Sequence, residues 1–322
     1  MALQPLRAFS VGAQASLSTE KVTDDSSNKT PQSTVTCVYQ THVAGYWRNV
    51  TITWGKNLMN SISLNLIINS LEGETSYSFK LDLKPWHFWS KRGSKGFELE
   101  GSNIEIHWDL RSAKFIGTCP EPAGDYYVAV VCDEEIVLLL GNYKNKVYKR
   151  TKAKPTLVEA VLVSKKENVF AKKSFATRAK FDEKKQQEHD IIIESSTSGL
   201  KDPEMWISID GLVMVHVKNL QWKFRGNQVV TVNKQPVQIF WDVHDWLFNG
   251  EGGGGSNNGN GSGGSSQGLF TFKPGAPDLE EDDGGDSPHG NSDVSDGTYF
   301  STKSNNGASS DFCLLLFAWK IE

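Results

Sequence analysis

Tyr77-Ser78-Phe79-Lys80-Leu81-Asp82-Leu83 decides the fold class. Four apolar side chains alternate with three polar ones, and in an extended strand this period of two places all the apolar groups on one face. A helix would scatter them around its circumference. The same alternation recurs at Ile62, Leu64, Leu66 and Ile68, at Phe97 and Leu99, at Ile104, Ile106, Trp108 and Leu110, at Val213, Val215 and Val217, and at Val237, Ile239, Trp241 and Val243. Turn formers separate the runs: Asn57, Gly73, Gly93, Gly101, Gly124, Gly141, Asp210-Gly211 and Gly226-Asn227. The pattern predicts an all-β protein of antiparallel modules, sandwich-like or barrel-like. The charged stretch 155–189 could suit an amphipathic helix, but Phe175, Thr177, Ala179 and Phe181 alternate with Ala176, Arg178 and Lys180, which predicts strand there too.

Working outward, the chain resembles itself at an offset of 133 residues. Trp89 falls on Trp222, Arg92 on Arg225, Gly93 on Gly226, Ile106 on Ile239, Trp108 on Trp241, Asp109 on Asp242 and Phe115 on Phe248, without a gap. The simplest account is a duplicated module in which Trp89, Arg92, Trp108 and Asp109, and their counterparts Trp222, Arg225, Trp241 and Asp242, form a structural motif. The duplication also accounts for the far end of the chain. Leu269-Phe270-Thr271-Phe272 and the apolar run from Phe312 to Trp319 are then two strands of one hairpin. A run that apolar needs both faces covered, so it is expected to be a central strand.

Of the 322 residues, 29 are glycine, and 17 of these fall in three stretches, 1–33, 249–268 and 274–310. The expected organisation is a disordered N-terminus (1–33), a first β module (34–142), a basic connector (143–155) and a second β module (156–248) completed by 269–273 and 311–322. A flexible Gly/Ser linker (249–268) and an acidic disordered insert (274–310) interrupt the second module. No stretch reaches the roughly 18 consecutive apolar residues of a membrane span, and no basic, apolar leader opens the chain. An intracellular protein, cytoplasmic or nuclear, is expected. Cys37, Cys119, Cys132 and Cys313 include no CxxC pair, which argues against a disulfide framework or a zinc knuckle.

Several stretches are specific enough to place the chain beside known sequences. They are Lys84-Pro85-Trp86-His87-Phe88-Trp89, Asp125-Tyr126-Tyr127-Val128-Ala129-Val130-Val131-Cys132-Asp133-Glu134-Glu135 and Leu162-Val163-Ser164-Lys165-Lys166-Glu167. With them stand Asp202-Pro203-Glu204-Met205, Gln221-Trp222-Lys223-Phe224-Arg225-Gly226-Asn227 and Trp241-Asp242-Val243-His244-Asp245-Trp246-Leu247-Phe248. From about residue 34 to 274 the chain resembles the plant family catalogued as domain of unknown function 868. The resemblance implies a plant protein and one family unit spanning both repeats, and it brings no catalytic residues with it.

The densest polar constellation is Asp242, His244 and Asp245. Two residues apart on a strand, Asp242 and His244 would share a face and could act as an acid/base pair or hold a metal. In the first copy Arg111 and Ser112 replace the second and third residues, so a turn-capping or ion-pairing role for the Asp is favoured. Cys119 and Cys132 are the thiols to weigh as nucleophiles, but acids beside Cys132 would raise its pKa. There is no GxSxG, P-loop, GxGxxG or HExxH, so no catalytic residue, metal or cofactor is assigned. The ten Trp are expected mostly in the core, with an aromatic-walled groove as the alternative.

Charge carries the clearest functional hint. The formal net charge is −4, yet 144–185 holds 14 Lys+Arg against four acids and 250–322 is net negative by eight. Lys144, Lys146, Lys149, Arg150, Lys152, Lys154, Lys165, Lys166, Lys172 and Lys173 are the expected contacts for an anionic partner: an acidic protein, a lipid surface, or the chain's own acidic insert. Only Tyr148 and Phe170 fall among them, too few for a base-stacking platform, so sequence-specific nucleic-acid recognition is not expected. In the insert, Ser287, Ser292 and Ser295 sit where phosphorylation would add charge. The expected function is therefore a non-enzymatic binding or interaction module with a basic surface. A carrier of a small apolar ligand in a barrel or groove is the alternative, and a hydrolase using Asp242 and His244 the distant one.

Overall fold

A computed structural model of the chain describes residues 32–57, 59–69, 76–83, 88–182, 187–197, 202–248, 267–275 and 312–320. The alternation that predicts strands is realised as strands. In β4 (Ser76–Leu83) the side chains of Phe79, Leu81 and Leu83 are buried while Ser78, Lys80 and Asp82 are exposed. β4 closes a meander with β1 (Gln32–Val43), β2 (Tyr46–Asn57) and β3 (Ile62–Asn69). The β1–β2 link is two residues, Ala44 at φ 51 and Gly45 at φ 81, the left-handed pair that matches strand twist in a tight hairpin.

β5 (Arg92–Leu99), β6 (Ser102–Asp109), β7 (Tyr127–Cys132), β8 (Glu135–Gly141) and the short β9 (Lys154–Pro155) form a five-stranded sheet, with helix α1 (Lys144–Thr151) between its last two strands. β10 (Val161–Phe170) follows, then a four-stranded sheet of β11 (Ser174–Ala179), β12 (His189–Ser196), β13 (Glu204–Ile209) and β14 (Leu212–Val217). β15 (Arg225–Val232), β16 (Gln235–Asp242), a helical turn α2 (His244–Leu247), β17 (Gln267–Pro274) and β18 (Cys313–Trp319) complete the described chain.

The first meander, β10 and the last four strands are one sheet of nine strands, ordered β15-β16-β17-β18-β10-β1-β2-β3-β4. No sheet closes on itself among the described residues, so the choice left open by the sequence falls on the sandwich side. The five-stranded sheet covers the β1–β4 half, burying Trp54, Leu64 and Leu66 against Ile104, Ile106 and Val130. The four-stranded sheet covers the β15–β18 half, burying Phe270, Leu314 and Leu316 against Ile191, Ile193 and Ile207. Leu162 on β10 packs against both cores.

The apolar run Phe312–Trp319 is central in its sheet, as expected, with β18 between β17, antiparallel, and β10, parallel. Its two faces are not equally covered, because Leu314, Leu316 and Ala318 are buried while Leu315, Phe317 and Trp319 stay partly exposed on the outer face. β17 and β18 are therefore the arms of a hairpin whose connection carries the acidic stretch. Most of that stretch, with Ser287, Ser292 and Ser295, lies outside the described residues, as do 1–31 and 249–266.

β10 runs where one covering sheet gives way to the other, and there the inner face turns polar. Lys165, 6% exposed, lies 2.9 Å from Glu167 and 3.0 Å from Glu121 and donates to the carbonyl of Arg178 at 2.9 Å. Thr177 on β11 donates to Glu167 at 2.6 Å. Glu121 comes from the β6–β7 connection and Arg178 from β11, so this ion network ties both covering sheets to the seam strand. A buried ammonium is tolerable only with such partners, because desolvation alone would cost several kcal/mol.

Candidate anion-binding site

The site is built at the corner where β6 ends. β5 and β6 pair so that Arg92 stands opposite Asp109, and β7 brings Tyr127 opposite Asp109 on the other side. Trp108 points to the core side, where its indole N–H donates to the Ser90 carbonyl at 2.9 Å. Gly93 lies beneath that ring, with its missing Cβ 2.5 Å from Trp108 Cζ2, so only glycine lets the indole lie flat on β5. Alternation then puts Asp109 on the opposite, outer face.

Two residues on, the chain folds back and Arg111 grips Asp109 with one edge of its guanidinium, Nε donating to Oδ1 at 2.9 Å and Nη2 to Oδ2 at 2.7 Å, while its backbone N–H also donates to Oδ1. Arg92 Nε approaches the same carboxylate at 3.8 Å. Burial pushes the Asp109 carboxyl up, but the Arg111 hydrogen bonds and the charges of Arg111 and Arg92 outweigh it, so its pKa lies below the ordinary carboxylate value. Asp109 is thus an ionised anchor that fixes two guanidinium groups whose outer edges stay in water.

The second wall is α1. Val147 is its buried residue, packed on Ala129, Val131 and Ile136 of the sheet's outer face. The spacing of 146, 149 and 150 puts Lys146, Lys149 and Arg150 on one face of the helix. With Arg92, Asp109, Arg111 and Tyr127 they line an open cleft of about 330 Å³. Tyr127 forms part of its floor; burial raises its phenol pKa, partly countered by Arg150, Arg92 and Arg111, which keeps it a protonated O–H donor at neutral pH. Five cations thus meet one carboxylate, and among the described residues neither Lys149 nor Arg150 has an ion pair.

The predicted basic set divides. Lys144, Lys146, Lys149 and Arg150 lie on α1, Lys152 caps it in the left-handed conformation, and Lys154 is on β9, so the segment 143–155 is a helix and a short strand laid on the five-stranded sheet. Lys166 is exposed on the outer face of the nine-stranded sheet, over the Phe317 ring at 4.6 Å, and Lys172 and Lys173 are exposed in the β10–β11 turn. Lys165 departs from the expectation of surface contact: strand alternation turns it inward, into the ion network of the seam. Arg92 and Asp109, expected as structural motif alone, belong to the cleft, and Arg111, Tyr127 and the common face of α1 are what the sequence reading missed. The i, i+3, i+4 spacing of 146, 149 and 150 was the available signal.

The corresponding corner of the second half repeats the frame without the cations. Trp241 Nε1 donates to the Lys223 carbonyl at 3.1 Å, Gly226 lies beneath its ring, and Arg225 holds Asp242 at 2.6 Å. Leu269 stands opposite Asp242 where the first half has Tyr127. Asp242 and His244 do not act as a pair. β16 ends at Asp242 and α2 begins at His244, which breaks the shared face, and His244 instead bonds Asp245 at 2.9 Å. No group of three or more His, Cys, Asp or Glu able to hold a metal occurs among the described residues. Cys119 and Cys132 have thiols pushed up in pKa, chiefly by burial. Trp54, Trp108, Trp241 and Trp246 are buried, whereas Trp222 is 82% exposed; the side chain of Trp89 lies outside the description.

No helix of the described residues is long and apolar enough to cross a membrane. No curated protein and no solved structure matches the chain. A family pattern does match, over residues 30–320, and so extends past the stretches quoted above to include β18. The chain belongs to that family, described as plant protein of unknown function, DUF868.

Proposed function

We propose that the protein is a non-catalytic, intracellular interaction module of two duplicated β units, and that it engages an anionic partner through the cleft between α1 and the β5–β6 corner. One observation carries this reading: five cations converge on a cleft holding a single carboxylate. Like charges at i, i+3 and i+4 destabilise a helix by a few tenths of a kcal/mol per pair, so Lys146, Lys149 and Arg150 disfavour the free helix and suit a state in which an anion sits among them. The equivalent corner, with Arg225 and Asp242 but no such helix, serves as the structural counterpart.

The test is retention on immobilised heparin as a function of salt. The parent chain is retained at low salt, and Lys149→Glu/Arg150→Glu elutes at markedly lower salt because the electrostatic contribution falls with each neutralised contact. Equal elution of parent and variant sinks the reading.

A further inference from the structure

We propose that this cleft takes a compact ligand bearing several phosphate groups, the chemistry shared by polyphosphorylated inositol lipid headgroups and their free, soluble forms. The inference rests on the anionic-partner reading and names its ligand. Three features of the geometry select it.

The first is the donor set. Asp109 occupies two of the five N–H groups of Arg111, which leaves three on a guanidinium that is fixed in place, lines the cleft and is 52% exposed. Tyr127 adds a neutral O–H on the floor. Planar guanidinium forks, ammonium groups and a phenol are together the donors that phosphate oxygens accept well.

The second is their arrangement on two walls. Guanidinium groups come from the sheet and Lys149 and Arg150 from the helix, so a ligand between them meets positive charge on opposite sides. A single phosphate has too few oxygens to meet donors on both walls, whereas two or more phosphates on one small ring can.

The third is size and the absence of a stacking surface. A cleft of about 330 Å³ lies at the small end of the range for small-molecule sites and holds a headgroup, not a duplex or an extended peptide. Its one aromatic, Tyr127, is 1% exposed and offers no ring face on which a nucleobase could stack.

The experiment uses the full chain and isothermal titration calorimetry with three probes: myo-inositol hexakisphosphate, inorganic tripolyphosphate and a 20-nucleotide single strand. A parallel arm sediments the chain with vesicles containing phosphatidylinositol 4,5-bisphosphate or phosphatidylserine at matched surface charge. Saturable one-to-one binding of the hexakisphosphate is expected, stronger than that of the oligonucleotide. Each charge-assisted contact is worth on the order of tenfold in affinity, so Lys149→Glu/Arg150→Glu weakens binding about 100-fold or more, while Lys166→Glu, on a different sheet, leaves it within about twofold. Tyr127→Phe weakens it by roughly tenfold; should that variant fail to fold, the exposed helix pair still decides the matter.

Selective sedimentation with the bisphosphate vesicles identifies the lipid headgroup as the source, and binding of the soluble probe with no vesicle preference identifies the free form; both sustain the inference. It is overturned if neither phosphate probe saturates, if the oligonucleotide binds more tightly, or if Lys166→Glu does as much damage as the helix pair. Should phosphate probes fail while heparin retention still depends on Lys149 and Arg150, the compact ligand is wrong and the broader reading stands. Loss of that heparin dependence removes both.

Discussion

Replacing Gly93 with alanine tests the corner that positions the cleft. The new Cβ would lie 2.5 Å from Trp108 Cζ2, 3.0 Å from Cη2 and 3.1 Å from Cε2. Carbon atoms pack at about 3.5–4.0 Å, so the indole must move by about 1 Å. It has little room, because its N–H is bound to the Ser90 carbonyl and its face packs on Phe79 with ring centres 5.1 Å apart. Overpacking of this kind costs about 1–3 kcal/mol, and loosening the indole hydrogen bond adds about 0.5–1.5 kcal/mol. Against these stands a gain of about 0.4–1 kcal/mol from the stiffer unfolded chain. The net is a loss of about 2 kcal/mol in urea unfolding. Gly96→Ala is the control on the same strand: its nearest neighbour would be 3.8 Å away, so it is neutral or stabilising by up to about 1 kcal/mol. Gly226→Ala, under Trp241, repeats the loss in the second half. In a Trp108→Leu background the Gly93→Ala cost disappears, a coupling that a double-mutant cycle reads directly. Equal stability of Gly93→Ala and Gly96→Ala, or an unchanged cost without the indole, refutes the reasoning.

Lys165→Met leaves Glu121 and Glu167 facing one another across the seam without their cation, and the expected loss is about 3–5 kcal/mol in chemical denaturation. Restoring much of it with the further changes Glu121→Gln and Glu167→Leu separates the charge effect from lost packing. Asp109 predicts the acid limb of stability: because its folded pKa is depressed, its contribution is present above the unfolded value of about 3.9 and is lost as pH falls through the lower folded value. Asp109→Asn therefore lowers the melting temperature at pH 7 and flattens its fall between pH 4 and pH 2.5; parallel curves for parent and variant would contradict this.

Most of the architecture was legible because strand alternation is local and strong. Phe79, Leu81 and Leu83 declare their buried face within eight residues, and the apolar run from Leu314 to Trp319 announces a strand in the middle of its sheet, although its outer face, with Leu315, Phe317 and Trp319, is only partly covered. What no local pattern carries is which sheet a strand joins. That the first meander and the last four strands share one sheet depends on β10 bridging them, and β10 reads as a charged segment because two of its inward residues are Lys165 and Glu167. Counting charge along the sequence grouped Lys165 with its exposed neighbours; the pleat, which reverses direction at each residue, divides Lys165 from Lys166. The cleft was half visible. Its α1 cations stood out by charge and its Arg92 and Asp109 by repetition, but their meeting is a product of the fold, since β5, β6, β7 and α1 are brought together only by the sheet.

β10 also sets the terms on which the molecule is assembled. Its partners are far away along the chain on both sides, Thr34 opposite Asn168 and Cys313 beside Ser164, and the second pairing is parallel, with no hairpin to shorten the search. Contacts of such high sequence separation are slow to form. Until they do, β1 and β18 each present an unpaired edge, and an apolar edge is a template for the wrong chain. A strand that carries Lys165 and Glu167 inward accepts burial only where Glu121, Thr177 and the Arg178 carbonyl await them. The ionic seam then works as an address: away from Glu121, Thr177 and the Arg178 carbonyl, burying Lys165 and Glu167 leaves charges without partners, so a misdirected pairing with another copy is energetically unrewarding.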